Sequence, residues 1–369
     1  MVFIKDVNEK VILKRILESK DYLHDKAIMI LIGEKSKINI TQLIEYLNVA
    51  GISFFGGIFP GLIYKNKLFY EGAIILPVPV LTRPYLIDMT KGLEFEIPKD
   101  WVDFKEENDT NKTAVIFVDG LYPNLDSFLS ELYRYFGFAI NYIGGGAGTV
   151  QFKSQPCVFT NDGFLQNAAV ICFLDLKIRL GVGHGWEEFA GPIVATKTEN
   201  NRIIELNWEN ALEVYKNIIE EDCNKKLTQG NFFEIAKEYP LGVLRNNSNC
   251  IVRDILLISP EGHLVCAGEV KENSVLVVLK GSKDSLLDAG YQILQDLSGL
   301  ESKKIITGLI LNCISRVLYL GSEYDRELKI IDQSFPDLPG AFTIGEISSS
   351  GDGFLEFYNK TLVVGVLYE

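Results

Sequence analysis

The segment that decides the fold opens with the apolar strand Ala114-Val115-Ile116-Phe117-Val118 and closes on Gly144-Gly145-Gly146-Ala147-Gly148. Between them, residues 125–135 carry helical periodicity, and residues 138–143 read as a second strand that runs into the glycines. Residues 151–160 and 166–173 then supply a β-hairpin. The same order occurs twice more. Toward the N-terminus it is Ala27-Ile28-Met29-Ile30-Leu31-Ile32, a helix at 41–48, Ile52-Ser53-Phe54-Phe55 into Gly56-Gly57, then a hairpin over 64–67 and 72–76. Toward the C-terminus it is a strand at 305–311, a helix at 323–333, residues 341–344 into Gly345-Glu346, and strands at 354–358 and 361–368. A strand that ends in glycine lets the backbone come close to another group, since no Cβ intervenes. Three copies predict one kind of site, repeated, with the third copy, which joins its glycine turn to a carboxylate and a Cys/Arg pair, the first place to look for a ligand.

The chain has 369 residues, too many for one ordinary core and suited to two domains, and 47% hydrophobic residues fill a core in each. A net charge of -13 without a long basic run argues against nucleic acid or an anionic membrane as partner. The longest apolar stretches are strand-sized, far below the ~20 residues of a membrane-spanning helix. Met1-Val2-Phe3-Ile4-Lys5-Asp6-Val7 lacks the charged-then-apolar order of a signal peptide, so a cytoplasmic protein is expected. The six cysteines form no Cys-x-x-Cys pair, which removes the usual zinc-knuckle and thioredoxin-like arrangements. They read as reduced, mostly buried side chains.

Outside the repeats, residues 7–20 form an amphipathic helix, and the polar stretch 103–112 reads as a surface loop. Residues 177–182 alternate as a strand and end in the turn Gly183-His184-Gly185-Trp186. A hairpin over 192–197 and 202–206 bends at Glu199-Asn200-Asn201, and the domain boundary is placed just after it, giving domains 1–206 and 207–369. Residues 208–223 and 232–238 are helical, the second ended by Pro240. Strands at 252–259, 263–269 and 274–279 follow, then a helix at 282–297 capped by Ser282 or Asp284. The predicted class is α/β (α+β), with two related layered domains of mixed β-sheets covered by helices.

Few residues suggest chemistry. The turn containing Gly145 and Gly146 has two readings, a nest of backbone N–H groups for a ligand or a tight bend that excludes side chains. No helix opens directly after it and Gly-Lys-Ser/Thr is absent, so neither dinucleotide nor P-loop binding fits. Cys313 lies three residues before Arg316 at a strand end, where a thiol beside a guanidinium is a candidate thiolate or, equally, a buried side chain beside a salt bridge from Arg316 to Glu327 or Glu346. Gly345-Glu346 places a carboxylate at a glycine-flanked strand end, able to take an ammonium or an arginine. Arg253 opens a strand and suits a bidentate carboxylate. His184, two residues before Trp186, is a candidate haem ligand or stacking group, against the plainer reading of a turn histidine bonded to backbone. No catalytic triad, paired-carboxylate or metalloprotease motif stands out.

In their order these residues resemble the FIST family of bacterial and archaeal sensory domains, which occur as N-terminal and C-terminal parts in tandem. The first part is carried by the glycine turn, His184-Gly185-Trp186, Val194-Ala195-Thr196-Lys197 and Ile203-Ile204-Glu205-Leu206. The second is carried by Tyr239-Pro240-Leu241-Gly242, Val252-Arg253, Cys313 with Arg316, Glu327, Gly345-Glu346, Asn359 and Thr361. Gly144–Thr149 replaces the family's Cys-Ser-Thr type turn, and Cys313-Ile314-Ser315-Arg316 replaces Cys-x-Gly-Arg. The resemblance implies a sensory module that binds small ligands such as amino acids and is coupled to histidine kinases, cyclic-dinucleotide enzymes or chemotaxis transducers. It also implies Asn359 as a site residue, and through a haem-binding subgroup it keeps His184 in view.

The expectation is a cytoplasmic, non-enzymatic sensor without a resident cofactor. Arg253, Arg316 and Glu346 would clamp a small polar ligand such as an amino acid, and a separate signalling partner would carry the output. The rivals are an enzyme with Cys313 as nucleophile and a haem-binding gas sensor.

Overall fold

The structure, a computed structural model, describes residues 1–18, 25–91, 101, 112–245, 250–349 and 354–369. The first unit comprises β1 (Val2–Ile4), α1 (Glu9–Leu17), β2 (Lys26–Gly33), α2 (Ile40–Val49), β3 (Phe54–Phe59), β4 (Gly61–Tyr64), β5 (Lys67–Phe69) and β6 (Ala73–Pro79). The second comprises β7 (Tyr85–Asp88), β8 (Lys112–Asp119), α3 (Leu125–Phe136), β9 (Ile140–Ala147), β10 (Val158–Thr160), β11 (Gly163–Leu165) and β12 (Ala168–Leu174). The loop expected at 103–112 lies, but for Lys112, outside the described residues.

The third unit starts at β13 (Lys177–Gly183) and is then interrupted. An insertion follows with β14 (Glu187–Glu199), β15 (Arg202–Leu206), β16 (Glu209–Asn210), α4 (Ala211–Cys223), α5 (Phe232–Ala236), β17 (Leu241–Leu244), β18 (Cys250–Arg253), β19 (Ile255–Ile258), β20 (Leu264–Cys266) and β21 (Val275–Lys280). The unit resumes with α6 (Lys283–Asp296), β22 (Ile305–Cys313), α7 (Ile314–Leu320), α8 (Tyr324–Asp332), β23 (Gly340–Thr343), β24 (Glu346–Ser349), β25 (Leu355–Tyr358) and β26 (Leu362–Tyr368). Ser282 caps α6 reciprocally with Ser285, as one of the two expected caps.

Three sheets share one strand order: β1-β6-β2-β3-β10-β11, β7-β12-β8-β9-β24-β25 and β13-β26-β22-β23-β4-β5. In each, the two central strands of a unit run parallel, and the hairpin that completes the sheet comes from another unit. The units are thus exchanged cyclically. The relation lies among three units rather than between two halves, and two of these sheets draw strands from both sides of residue 206. The insertion forms a fourth sheet, in which β14 and β15 pair with strands beyond that residue.

Alternation explains the layers. Ala27, Met29 and Leu31 of β2, Val115 and Phe117 of β8, and Leu309 and Leu311 of β22 meet in one central core. Their neighbours turn outward to helices: Ile28, Ile30 and Ile32 to α1 and α2, Ala114, Ile116 and Val118 to α3, and Ile310 to α6, α7 and α8. Strands buried on both faces read as continuous apolar runs, as these do.

The repeated glycine has a shared cause. Gly56, Gly144 and Gly340 stand opposite Ile30, Ile116 and Ile310 in the parallel ladders. A Cβ on them would fall 1.9, 1.8 and 2.2 Å from the opposing isoleucine carbonyl oxygen. The group approached so closely is the chain's own neighbouring strand. In the third unit the equivalent residue is therefore Gly340, and Gly345 instead occupies the turn before β24, with φ +79°.

Candidate functional site

Corners between sheets recur with the units. At the first, Phe3 of β1 stacks on Tyr64 and Phe69 beside β4 and β5, with ring centroids 5.1 and 4.4 Å apart. At the third, the insertion leaves the chain just after β13, and a cleft of about 1100 Å³ opens there. Its walls are the His184-Gly185-Trp186 turn, α6 through Ser285, Asp288 and Gln292, the end of β17 and start of β18 through Leu244, Arg245 and Cys250, and β25 through Glu356 and Tyr358. A recess of about 230 Å³ adjoins it across Arg245, Ile251, Phe354 and Glu356.

Gly185 makes the turn possible. Its φ is +73°, and a Cβ there would lie 2.3 Å from the Ser285 carbonyl oxygen, so only glycine lets the turn rest against α6. The Trp186 amide donates to His184 Nδ1 at 3.0 Å. Nδ1 is thereby the acceptor, and the neutral ring carries its proton on Nε2, which faces Cys250 Sγ at 3.9 Å. Burial, then the Arg316 charge, push the imidazole down to about 4. Ligating a metal through Nε2 would need the other tautomer, which loses the Trp186 bond. Burial, then the Glu188 charge, raise the Cys250 thiol to about 11, so no thiolate lies in the cleft at neutral pH.

Behind this wall sits a buried polar network that gathers most of the residues singled out above. Arg316, fully buried, pairs with Glu327 through Nε at 2.9 Å and Nη2 at 2.7 Å, and donates to the carbonyls of Leu286 and His184. Its carboxylate partner is Glu327, one of the two expected. Lys360 meets Asp254 at 3.1 Å and lies over the Trp186 ring, whose Nε1 donates to the Lys360 carbonyl. Asn359 accepts the Asp254 amide through Oδ1. Glu346 accepts from Thr343 Oγ1 at 2.6 Å, and burial raises its carboxyl well above the ordinary carboxylate range, against bonds from Thr343 and Thr361 and the Arg316 charge. Burial, then the neighbouring Glu346, push Cys313 up to about 12, which leaves a protonated thiol rather than a nucleophile.

Gly145 and Gly146 close against the same network. Gly145 pairs with Glu346, the Gly146 amide donates to the Gly345 carbonyl at 2.9 Å, and the Gly146 carbonyl accepts from the Ile344 amide at 2.8 Å. Both glycines lie within β9 rather than in a bend, and a Cβ on them would fall 2.6 Å from Thr343 Cγ2 and 2.1 Å from the Ile344 carbonyl oxygen, so side chains are excluded by close packing. Arg253 stands apart, tied to Asp126 of α3 at 2.7 Å and to the carbonyls of Glu269 and Phe357. Glu269 takes the Ser127 amide and hydroxyl and so caps α3 from 142 residues away.

Of the residues expected to form a site, only His184 and Trp186 line the cleft, and Arg253 lines the recess. Arg253, Arg316 and Glu346 spend their polar atoms on protein partners. Arg245, Glu356, Asp288 and Gln292 were not legible as site residues. They belong to three elements distant in sequence, and no spacing signals their meeting. Arg245 is exposed and touches Glu356 at 3.2 and 3.4 Å, a loose pair at the mouth between cleft and recess. Among the described residues no cluster of three or more His, Cys, Asp or Glu is placed to hold a metal ion, and no helix is long and apolar enough to cross a membrane. A family model described as the FIST N domain matches residues 80–209, and one described as the FIST C domain matches residues 211–349. No curated protein matches the chain.

Proposed function

The chain belongs to the FIST family, whose domains are sensory domains of signal transduction, and on that premise we propose that it binds a small polar metabolite such as an amino acid in the cleft beside β13. The observation that carries the reading is the loose Arg245–Glu356 pair at the mouth of a cleft of about 1100 Å³. Arg245 is exposed and its contacts with the part-buried Glu356 are long, so a zwitterion can displace the pair, its carboxylate on Arg245 and its ammonium on Glu356. Volume and mixed polarity suit a small-ligand site. The neutral His184, the protonated Cys250 and the buried Cys313 supply no nucleophile, which favours a sensor over an enzyme.

The ligand would touch both the insertion and the third unit, and would shift the balance between their arrangements by preferring one of them. In this reading the protein is cytoplasmic and its output passes to a separate protein, such as a histidine kinase or a cyclic-dinucleotide enzyme. Thermal-shift screening of the purified chain against the amino acids tests it. Stabilisation by at least one of them, lost in Arg245→Ala, is expected. No stabilisation by any, or undiminished stabilisation in Arg245→Ala, overturns the proposal.

A further inference from the structure

We infer that the ligand of the cleft is a basic amino acid, such as arginine or lysine, whose side-chain cation is held by carboxylates on the wall formed by α6 and the start of β14; this rests on the cleft being the ligand site. The charged lining is unbalanced. Glu187, Asp288 and Glu356 bring three carboxylates, against which Arg245 is the one cation among the described lining residues, since His184 is neutral at pH 7. Counting the recess as well does not restore the balance: apart from Arg245 and Glu356, which line both spaces, Asp126 and Glu269 stand there against Arg253 and Lys271. Glu188 adds to the excess, its charge acting after burial to raise the Cys250 thiol.

The cations around this wall are engaged elsewhere. Lys280 stands opposite Glu187 in the ladder, but its ammonium meets Asp222 at 2.5 Å. Arg326 and Lys329 border a shallow groove that Asp288 also lines; Arg326 is held by Glu323 at 2.8 Å, and neither forms an ion pair with Asp288. Behind the wall, Arg316 and Lys360 each have a carboxylate of their own, Glu327 and Asp254. The Glu187 and Asp288 carboxylates and the Gln292 amide group thus make no hydrogen bond or ion pair among the described residues.

An amino acid set on the Arg245–Glu356 pair leaves this wall still to be answered. Its α-carboxylate and α-ammonium balance that pair, and Glu187 and Asp288 remain uncompensated. On α6, Ser285, Asp288 and Gln292 follow at spacings of three and four, a single stripe turned to the cleft. Carboxylate and amide oxygens on one stripe accept from a guanidinium or an ammonium, and hydrogen bonds between ionised partners are roughly twice as strong as neutral ones. A cleft of about 1100 Å³ is roughly 10 Å on a side, and an extended arginine side chain reaches ~7 Å. A second cation therefore arrives at the wall while the first two groups stay at the mouth.

Isothermal titration of the whole chain with arginine against citrulline, lysine against norleucine, and agmatine tests the inference, at physiological salt so that charges more than ~8 Å apart are screened. At least one basic amino acid should bind at least tenfold tighter than its uncharged analogue. Arginine should also bind at least tenfold tighter than agmatine, which lacks the carboxylate. Asp288→Asn with Glu187→Gln, both at exposed positions, should lower the ratio of basic to uncharged affinity several-fold. Agmatine binding as tightly as arginine, or an undiminished ratio in the double variant, overturns the inference. Neutral amino acids that bind as well as basic ones would remove the cationic preference and leave the metabolite site; no binding by any amino acid would remove the site as well.

Discussion

His184 offers a test of the cleft's electrostatics that needs no ligand. Its imidazole falls from an ordinary 6.5 to about 4, first because burial penalises the charged ring and then because Arg316 lies behind it. A base whose folded value is lowered resists protonation in the fold while the unfolded chain takes the proton freely. Stability is thus unaffected above pH 6.5, and falls as pH drops from about 6.5 toward 4. At ~1.4 kcal/mol for each tenfold step, the loss is at most about 3 kcal/mol, reduced by the solvent that reaches this half-buried ring. His184→Gln keeps an acceptor for the Trp186 amide and cannot titrate. Urea unfolding of both proteins at pH 7.5, 6, 5 and 4 should show the wild type losing ground to the variant by about 2–3 kcal/mol across that window, with carboxylate effects common to both cancelling. NMR titration should place the ring's midpoint near 4, with the proton on Nε2 above it. A midpoint near 6.5, or a stability difference that stays constant with pH, would refute the reasoning.

Arg316→Met should cost about 3–5 kcal/mol in urea unfolding, because it strands Glu327 inside the protein, and Arg316→Met/Glu327→Leu should recover most of that; additive losses would show that the pair is not coupled. Gly144→Ala should destabilise by about 2–3 kcal/mol or more, since its methyl would sit 1.8 Å from the Ile116 oxygen, whereas Gly230→Ala, with open space around it, should be neutral to within about 1 kcal/mol. Timed alkylation with iodoacetamide at pH 7.5, read by peptide mass spectrometry, should label the partly exposed Cys223 first and Cys250 only slowly, since its thiol is raised to about 11, while leaving Cys313 unmodified until denaturant is added; labelling of Cys313 first would restore the nucleophile reading.

How much was legible in the chain follows from what each feature depends on. The recurring strand, helix, strand and hairpin could be read because they rest on local periodicity, and the helices at 125–136 and 324–332 fall almost where the pattern puts them. The third glycine was read as Gly345, when the ladder makes Gly340 the equivalent, because only strand register says which residue faces Ile310. The FIST resemblance rested on residues that prove to be buried, among them Arg316, Glu346 and Asn359. Such residues mark the family through the network that holds the fold, and they lie behind the cleft rather than in it.

By itself the sequence determined the elements and their threefold repetition, since alternation and glycine placement act over a few residues. Tertiary structure decided where each hairpin pairs, because a β-ladder joins segments up to hundreds of residues apart and nothing in a strand names its partner. It also decided the site. Arg245, Glu356 and Asp288 meet only because the insertion parts the third corner, where the first is packed with aromatic rings.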